Sequence, residues 1–182
     1  MKKIIVLLTM LMVVMVCNAQ EKKDVTKFMG IPVDGTYTEM IQKLRDQGFD
    51  WNTTYGLLEG EFNGDNVIID VQTVKRKVWR VCALLKKEYD ETQVKIKFNR
   101  LCQQFERSPK YVPPFKTRSQ EIGEDEDISY EMTVRSKQYE ADYLQDGDEM
   151  KIVWFTILEK YGRYSIAMYY ENRYNEASGE DL

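Results

Sequence analysis

The sequence predicts an α+β fold: an antiparallel sheet with helices packed on one of its faces. Three observations lead there. Two segments carry apolar residues at helical spacing, each behind a capping residue. Short runs with strand-like spacing follow them, separated by turn residues. The order is helix then three strands, followed by helix then about four strands.

Thr36-Tyr37-Thr38-Glu39 has the spacing of a capping box, in which hydroxyl and carboxylate satisfy each other's orphan amides. Met40, Ile41 and Leu44 then share one helical face. Gly48 stands where a helix ends in a left-handed residue, and Phe49 can pack back. A first helix is expected over 36–47.

Leu57 to Phe62 reads as a strand leading into a tight turn at Gly64-Asp65-Asn66. Val67 to Gln72 sets Val67, Ile69 and Val71 on one face. Val78 to Leu85 is apolar on both faces apart from Arg80, the pattern of a central strand covered on both sides. Asp90 caps a second helix, along which Val94, Phe98, Leu101, Cys102 and Phe105 recur at helical spacing. Pro109, Pro113 and Pro114 make residues 108–119 a connector.

From Asp127 the pattern is again strand-like. Ile128, Tyr130, Met132 and Val134 alternate with polar residues, and Tyr139, Ala141 and Tyr143 continue after a turn at 135–137. Asp146-Gly147 marks a hairpin, Met150 to Leu158 is apolar on both faces, and Tyr164, Ile166, Met168 and Tyr170 alternate in a last strand. The expected organisation is a signal at 1–19, a lead-in at 20–35 that is loose as far as Lys27, a helix plus three-strand unit at 36–87, a helix plus four-strand unit at 88–174, and an acidic tail at 175–182. The repeated order fits a divergent tandem duplication. The residue-level match between halves is weak, so a mere repeat of element order stays open.

The first residues read as a cleavable export signal. Lys2 and Lys3 precede an apolar run from Ile4 to Val16 interrupted only by Thr9, and Cys17-Asn18-Ala19 puts small residues at the −3 and −1 positions. The run is short for a bilayer span, which needs about 20 residues. Val16 is a poor residue before a lipid-modified cysteine, so cleavage is expected between Ala19 and Gln20, with a periplasmic or secreted product and no lipid on Cys17. The chain after Ala19 has no apolar run long enough to cross a membrane.

Cleavage leaves 163 of 182 residues, and with Lys2 and Lys3 gone the 26 basic residues become 24 against 30 acidic, a balance of −6. No basic stripe with interleaved aromatics is present, which argues against nucleic acid as a partner. The chain has no histidine. That removes Ser-His-Asp and Cys-His catalysis, the His-Glu-x-x-His zinc site and histidine general bases. Glycine-rich phosphate loops are absent as well, and no cofactor is expected.

Several stretches are familiar as a set: Phe28-Met29-Gly30-Ile31-Pro32-Val33-Asp34-Gly35, Leu58-Glu59-Gly60-Glu61-Phe62, Phe98 to Glu106, Glu124 to Val134, and the closing Gly-Glu-Asp-Leu. Together they resemble a family of exported, uncharacterised proteins common in Bacteroidetes, over nearly all of the chain after the signal. That resemblance implies no activity and no functional residues. The element order is also loosely similar to tandem folds such as the beta-lactamase-inhibitory protein and small outer-membrane assembly lipoproteins, a likeness of fold alone.

Candidate sites are few. Glu124-Asp125-Glu126-Asp127 offers oxygen ligands for calcium but lacks the EF-hand pattern, and a solvated loop explains it better. Glu59 and Glu61 share a strand face and are the candidate pair for a histidine-free hydrolase acting on glycosides. Trp79 and Trp154 fall in the runs apolar on both faces and are expected in the core. Trp51 and Tyr55 lie in an Asn/Thr/Gly-containing stretch and are the candidate partner-binding aromatics, with capping the end of the core as the competing and better-favoured role for either. Cys82 and Cys102 are either a disulfide of an oxidising compartment or two buried thiols. The functional expectation is a non-catalytic binding protein of the cell envelope with a protein or glycan partner. A carboxylate-based hydrolase is the alternative.

Overall fold

Capping chemistry sets the helix ends. In the computed structural model, which describes residues 24–114 and 120–176, helix α1 is Tyr37–Asp46. The Glu39 N–H donates to Thr36 Oγ1 at 3.3 Å and the Thr36 N–H to Glu39 Oε2 at 2.8 Å. At the other end the Gly48 N–H donates to the Arg45 carbonyl at 2.9 Å and the Phe49 N–H to that of Leu44 at 3.2 Å. Gly48 sits at φ +97°, a conformation in which a Cβ would be strained. Helix α2, Glu91–Arg107, is capped by Asp90, and its five periodic apolar residues are all buried. The export signal, residues 115–119 of the connector and residues 177–182 of the acidic tail lie outside the described residues.

Eight strands form one antiparallel sheet: β3 (Asp50–Asn52), β4 (Leu57–Phe62), β5 (Asp65–Val74), β6 (Lys77–Leu85), β7 (Tyr111–Val112), β8 (Glu140–Gln145), β9 (Lys151–Lys160) and β10 (Arg163–Asn172). Their order across the sheet is β3-β4-β5-β6-β10-β9-β8-β7. The last strands of the two runs therefore meet at the centre, and the edges are the short β3 and β7, which limits edge-to-edge pairing. Two-residue turns with both φ positive join β4 to β5 at Asn63-Gly64, β5 to β6 at Lys75-Arg76 and β9 to β10 at Tyr161-Gly162. The first of these lies one residue earlier than the sequence suggested, so Asp65 opens β5.

Cross-strand register divides the sheet into two faces. Leu58, Ile69, Ala83, Met168, Phe155 and Ala141 stand side by side in one row across six strands. All are buried, in the same core cluster as Met40 and Leu44 of α1 and Phe98 and Leu101 of α2. The adjacent row, Asp70, Cys82, Tyr169, Trp154 and Asp142, faces the other way.

The structure corrects two expectations of order. Residues 24–33 are docked rather than loose. They form a small hairpin of β1 (Lys27–Phe28) and β2 (Ile31–Pro32) with Phe28 and Val33 fully buried. Thr26 Oγ1 donates to the Glu171 carbonyl at 2.5 Å, Asn172 Nδ2 to that of Val33 at 2.8 Å, and the Gln145 amide bonds both the N–H and the carbonyl of Lys27. Lys151, almost wholly buried, pairs with Asp24 at 2.6 Å and Asp146 at 3.2 Å. The segment's charged residues Asp24 and Lys27 remain partly exposed but are ion-paired, Asp24 with both Lys27 and Lys151.

The second correction is at Ile128–Thr133, which is a short helix, α3, and not a strand. Asp127 accepts from the Tyr130 N–H at 2.8 Å, and Glu91 of α2 accepts from the Ile128 N–H at 3.0 Å. Ile128 is buried and Met132 packs against the core. A spacing of four satisfies the periods of both strand and helix, and the Asp127 cap decides between them.

Candidate functional site

The sheet face turned away from the core is built around an aromatic stack. Trp154 of β9 and Tyr169 of β10, paired in register, lie with ring centroids 4.0 Å apart and planes 14° from parallel. The Trp154 Nε1–H donates to Glu171 Oε1 at 2.7 Å, and Arg80 Nη2 meets the same oxygen at 2.7 Å. Arg80 Nη1 donates to Gln72 Oε1 at 3.3 Å, and Gln72 Nε2 to Asp70 Oδ2 at 2.9 Å. The Arg80 guanidinium lies 4.0 Å over the Trp79 ring and 5.5 Å from that of Tyr169.

Trp79 reaches this face because the ladder slips there. Gln72 pairs with Arg80 and Thr73 with Val78, leaving Trp79 as the extra residue of a β-bulge. Neither Trp79 nor Trp154 is in the core; both are half-buried. The apolar character of β6 and β9 on both faces thus arises differently from the expected double cover. Stacked aromatic rings and a buried carboxylate, Glu171, shield the second face without a second layer over it.

Toward β8 the face opens into a groove of about 410 Å³ lined by Arg80, Glu140, Asp142, Trp154, Glu171 and Arg173, among others. Glu140 and Asp142, two apart on β8, stand at its mouth. Desolvation raises both carboxyl pKa values; the Asp142 charge raises that of Glu140 further, while at Asp142 the nearby Arg173 guanidinium opposes the rise and Glu171 adds to it. Among the described residues neither has a basic side chain within 4 Å, and Asp70 has none either. Glu59, by contrast, is paired with Lys86 at 2.9 Å.

The residues singled out from sequence are scattered. Trp51, 41% exposed, is on edge strand β3 in register with the core residue Leu58, and Tyr55, 66% exposed, is in the turn after it. They are not part of the Trp154 face. Cys82 and Cys102 are free thiols. Cys82 lies beside Tyr169 on the outer face, whereas Cys102 is buried under the inner one on α2. Burial pushes Cys82 up to about 11 and Cys102 up to about 12.

Glu59 and Glu61 share the outer face, but the Lys86 ammonium holds the Glu59 carboxyl below its ordinary value, the opposite of what a general acid needs. In the acidic run, Lys95 Nζ donates to the carbonyls of Glu124 and Glu126, each at 2.7 Å, Glu126 binds Lys137 and the Tyr139 hydroxyl, and Asp127 caps α3. No group of three or more metal-ligating side chains occurs among the described residues, and no helix there is long and apolar enough to cross a membrane.

Sequence reasoning missed the Trp154–Tyr169–Arg80 cluster. The signal was present: the alternation of Tyr164 to Tyr170 places Tyr169 and Glu171 on the outer parity, and Arg80 breaks an otherwise apolar strand. Compared with protein-family models, curated proteins and solved structures, the chain finds no match.

Proposed function

We propose that this is an exported, non-catalytic binding protein of the cell envelope, cleaved between Ala19 and Gln20, that holds a basic protein surface against the outer face of its sheet. The observation that carries the reading is the Trp154–Tyr169 stack with the Arg80 guanidinium beside it. Trp, Tyr and Arg are the residue types that dominate binding energy when they stand together in a shielded patch. Size and charge support it. Strands β4, β5, β6, β10, β9 and β8 span five spacings of about 4.8 Å, roughly 24 Å, and the long strands run about 30 Å. That area, about 700 Å², is close to the roughly 800 Å² one partner contributes to a standard interface. Asp70, Glu140 and Asp142, with no ion pair within 4 Å among the described residues, leave negative charge for a basic partner to meet.

The same reading takes residues 36–87 and 88–174 as divergent copies of one unit, each a helix followed by strands, with both helices on the inner face. The mirror order of the sheet about β6 and β10 supports it. Membership in the exported Bacteroidetes family belongs to this proposal too.

The test is co-purification from an envelope fraction, quantified by mass spectrometry for the native chain and two variants. Glu140→Lys with Asp142→Lys should abolish capture of a partner that the native chain holds in a salt-dependent manner. Trp51→Ala with Tyr55→Ala, off this face, should retain it. Loss in the second variant alone would move the site to the β3 edge. A glycan recovered in place of a protein would refute the partner class.

One observation favours a second reading. Glu140 and Asp142 line a groove with raised carboxyl pKa values, as a carboxylate hydrolase requires. Turnover of a glycan, ester or peptide that vanishes in Glu140→Gln or Asp142→Asn would establish it and displace the binding role.

A further inference from the structure

We infer that a second site, on the opposite side of the sheet from the Trp154 face, binds a small amphiphilic carboxylate of the medium-chain fatty-acid type. It is a pocket of about 380 Å³ where three parts of the chain converge: the β1–β2 hairpin, the turn after β4, and the end of α2 with the start of β7. Pockets of a few hundred Å³ at such junctions are the usual size and place for small ligands. Met168 and Tyr170 of β10 form its floor and Phe105 of α2 one wall, all three almost wholly buried. Half-buried Phe62 and Tyr111 and the exposed Met29 complete an apolar lining. The two thioethers allow that lining to adjust to a flexible chain.

The polar groups fix the ligand's direction. At the floor the Tyr111 and Tyr170 hydroxyls neighbour each other and Tyr111 neighbours Gln145, so these groups serve one another rather than a head group. On the rim, the Asn63 and Gln104 amides bond each other, at 3.1 and 3.3 Å. Lys110 is different. Its ammonium lies 5.6 Å from the Tyr111 ring centroid and has no carboxylate within 4 Å among the described residues. Other shielded lysines have oxygen partners: Lys27 pairs with Asp24 at 2.7 Å, Lys97 with Asp65 at 2.6 Å, the buried Lys151 with Asp24 and Asp146, and Lys95 bonds the carbonyls of Glu124 and Glu126. An unpaired cation beside an aromatic pocket whose other polar groups are satisfied selects an apolar body with one anionic head, body inward and carboxylate at Lys110.

Titration of the chain, labelled with ¹³C at its methionine methyls, with hexanoate, octanoate and decanoate tests this. Saturable shifts are expected at Met29 and Met168 and not at Met150, which is exposed elsewhere. Affinity should rise roughly fourfold per added methylene. Lys110→Gln should weaken decanoate roughly tenfold and leave decanol unchanged, whereas Lys110→Arg should keep decanoate binding. The Met40 methyl, fully buried under α1, reports that each variant is folded. Absence of a saturable shift at Met168, or equal decanoate affinity in native and Lys110→Gln protein, overturns the assignment. The result is independent of whether the outer face binds a protein.

Discussion

Replacing Phe28 by Ala probes whether the segment before the first helix belongs to the core. Phe28 is fully buried, and its ring lies 4.8 Å from that of Phe62, 5.0 Å from Tyr170 and 6.4 Å from Phe49. Truncation at such a site removes the transfer free energy of the ring and leaves a cavity, at a cost of about 3–5 kcal/mol. With a urea dependence of about 2 kcal/mol per molar, the unfolding midpoint should fall by about 1.5–2.5 M. The melting temperature should drop by about 6–20 °C for a chain of this length. The assay is urea unfolding followed by tryptophan fluorescence on protein lacking residues 1–19. Met29→Ala, next in sequence but 39% exposed, is the control and should shift stability by no more than about 0.5 kcal/mol. If Phe28→Ala behaves like Met29→Ala, the lead-in is not part of the cooperative fold and the clamp around Gln145 and Lys151 is ornamental to stability.

Acid should loosen the same clamp. Lys151, with Lys27, holds the Asp24 carboxyl at about 2, below its unfolded value of about 3.9. A depressed folded pKa contributes stability that is present above about pH 3.9 and lost as pH falls toward 2. Asp24→Asn should therefore lower stability at neutral pH and reduce the loss between pH 4 and 2, read from urea midpoints across that range. Glu140 and Asp142 run the opposite way, since their raised values favour the folded state as they protonate. The thiols give a separate check. Both are pushed up by burial, so Ellman's reagent at pH 8 should label neither quickly in the folded chain and both after unfolding. An intact mass lighter by the two hydrogens of a disulfide would contradict the opposed-face placement of Cys82 and Cys102.

Much of the fold was legible because local chemistry and tertiary need agree there. The Thr36–Glu39 box, the Gly48 stop and the five-residue stripe of α2 announce elements whose ends are settled by neighbours in sequence. Failures occurred where a distant residue decides. Nothing near Asp24 reveals Lys151, 127 positions away, so a charged stretch reads as solvated. Lys75-Arg76 forms a left-handed turn without glycine, which no turn rule would select. For the site, parity along single strands was readable, but the stack is an inter-strand object: it needs the register that sets Trp154 beside Tyr169 and the bulge that turns Trp79 outward.

The Arg80–Glu171 pair separates a structural from a functional purpose for that face. Glu171 is 3% exposed and Arg80 is half-buried, so both lose hydration, and Arg80 Nε is buried with no hydrogen-bond partner among the described residues. Where the surroundings are apolar, such a pair often contributes less than well-packed apolar side chains of similar volume would. If shielding β6 and β10 were its only role, Arg80→Met with Glu171→Leu should fold at least as stably as the native chain and behave identically. The Trp154 Nε1–H would lose its acceptor, which costs about 1–3 kcal/mol at most and can be offset by water at the half-exposed ring. On the binding reading the double variant stays folded, with a urea midpoint within about 1 M of native, and loses partner capture as fully as the Glu140→Lys, Asp142→Lys variant. Retained capture in a folded double variant would reduce the aromatic–guanidinium cluster to a cover for the central strands and leave the groove carboxylates to carry recognition alone.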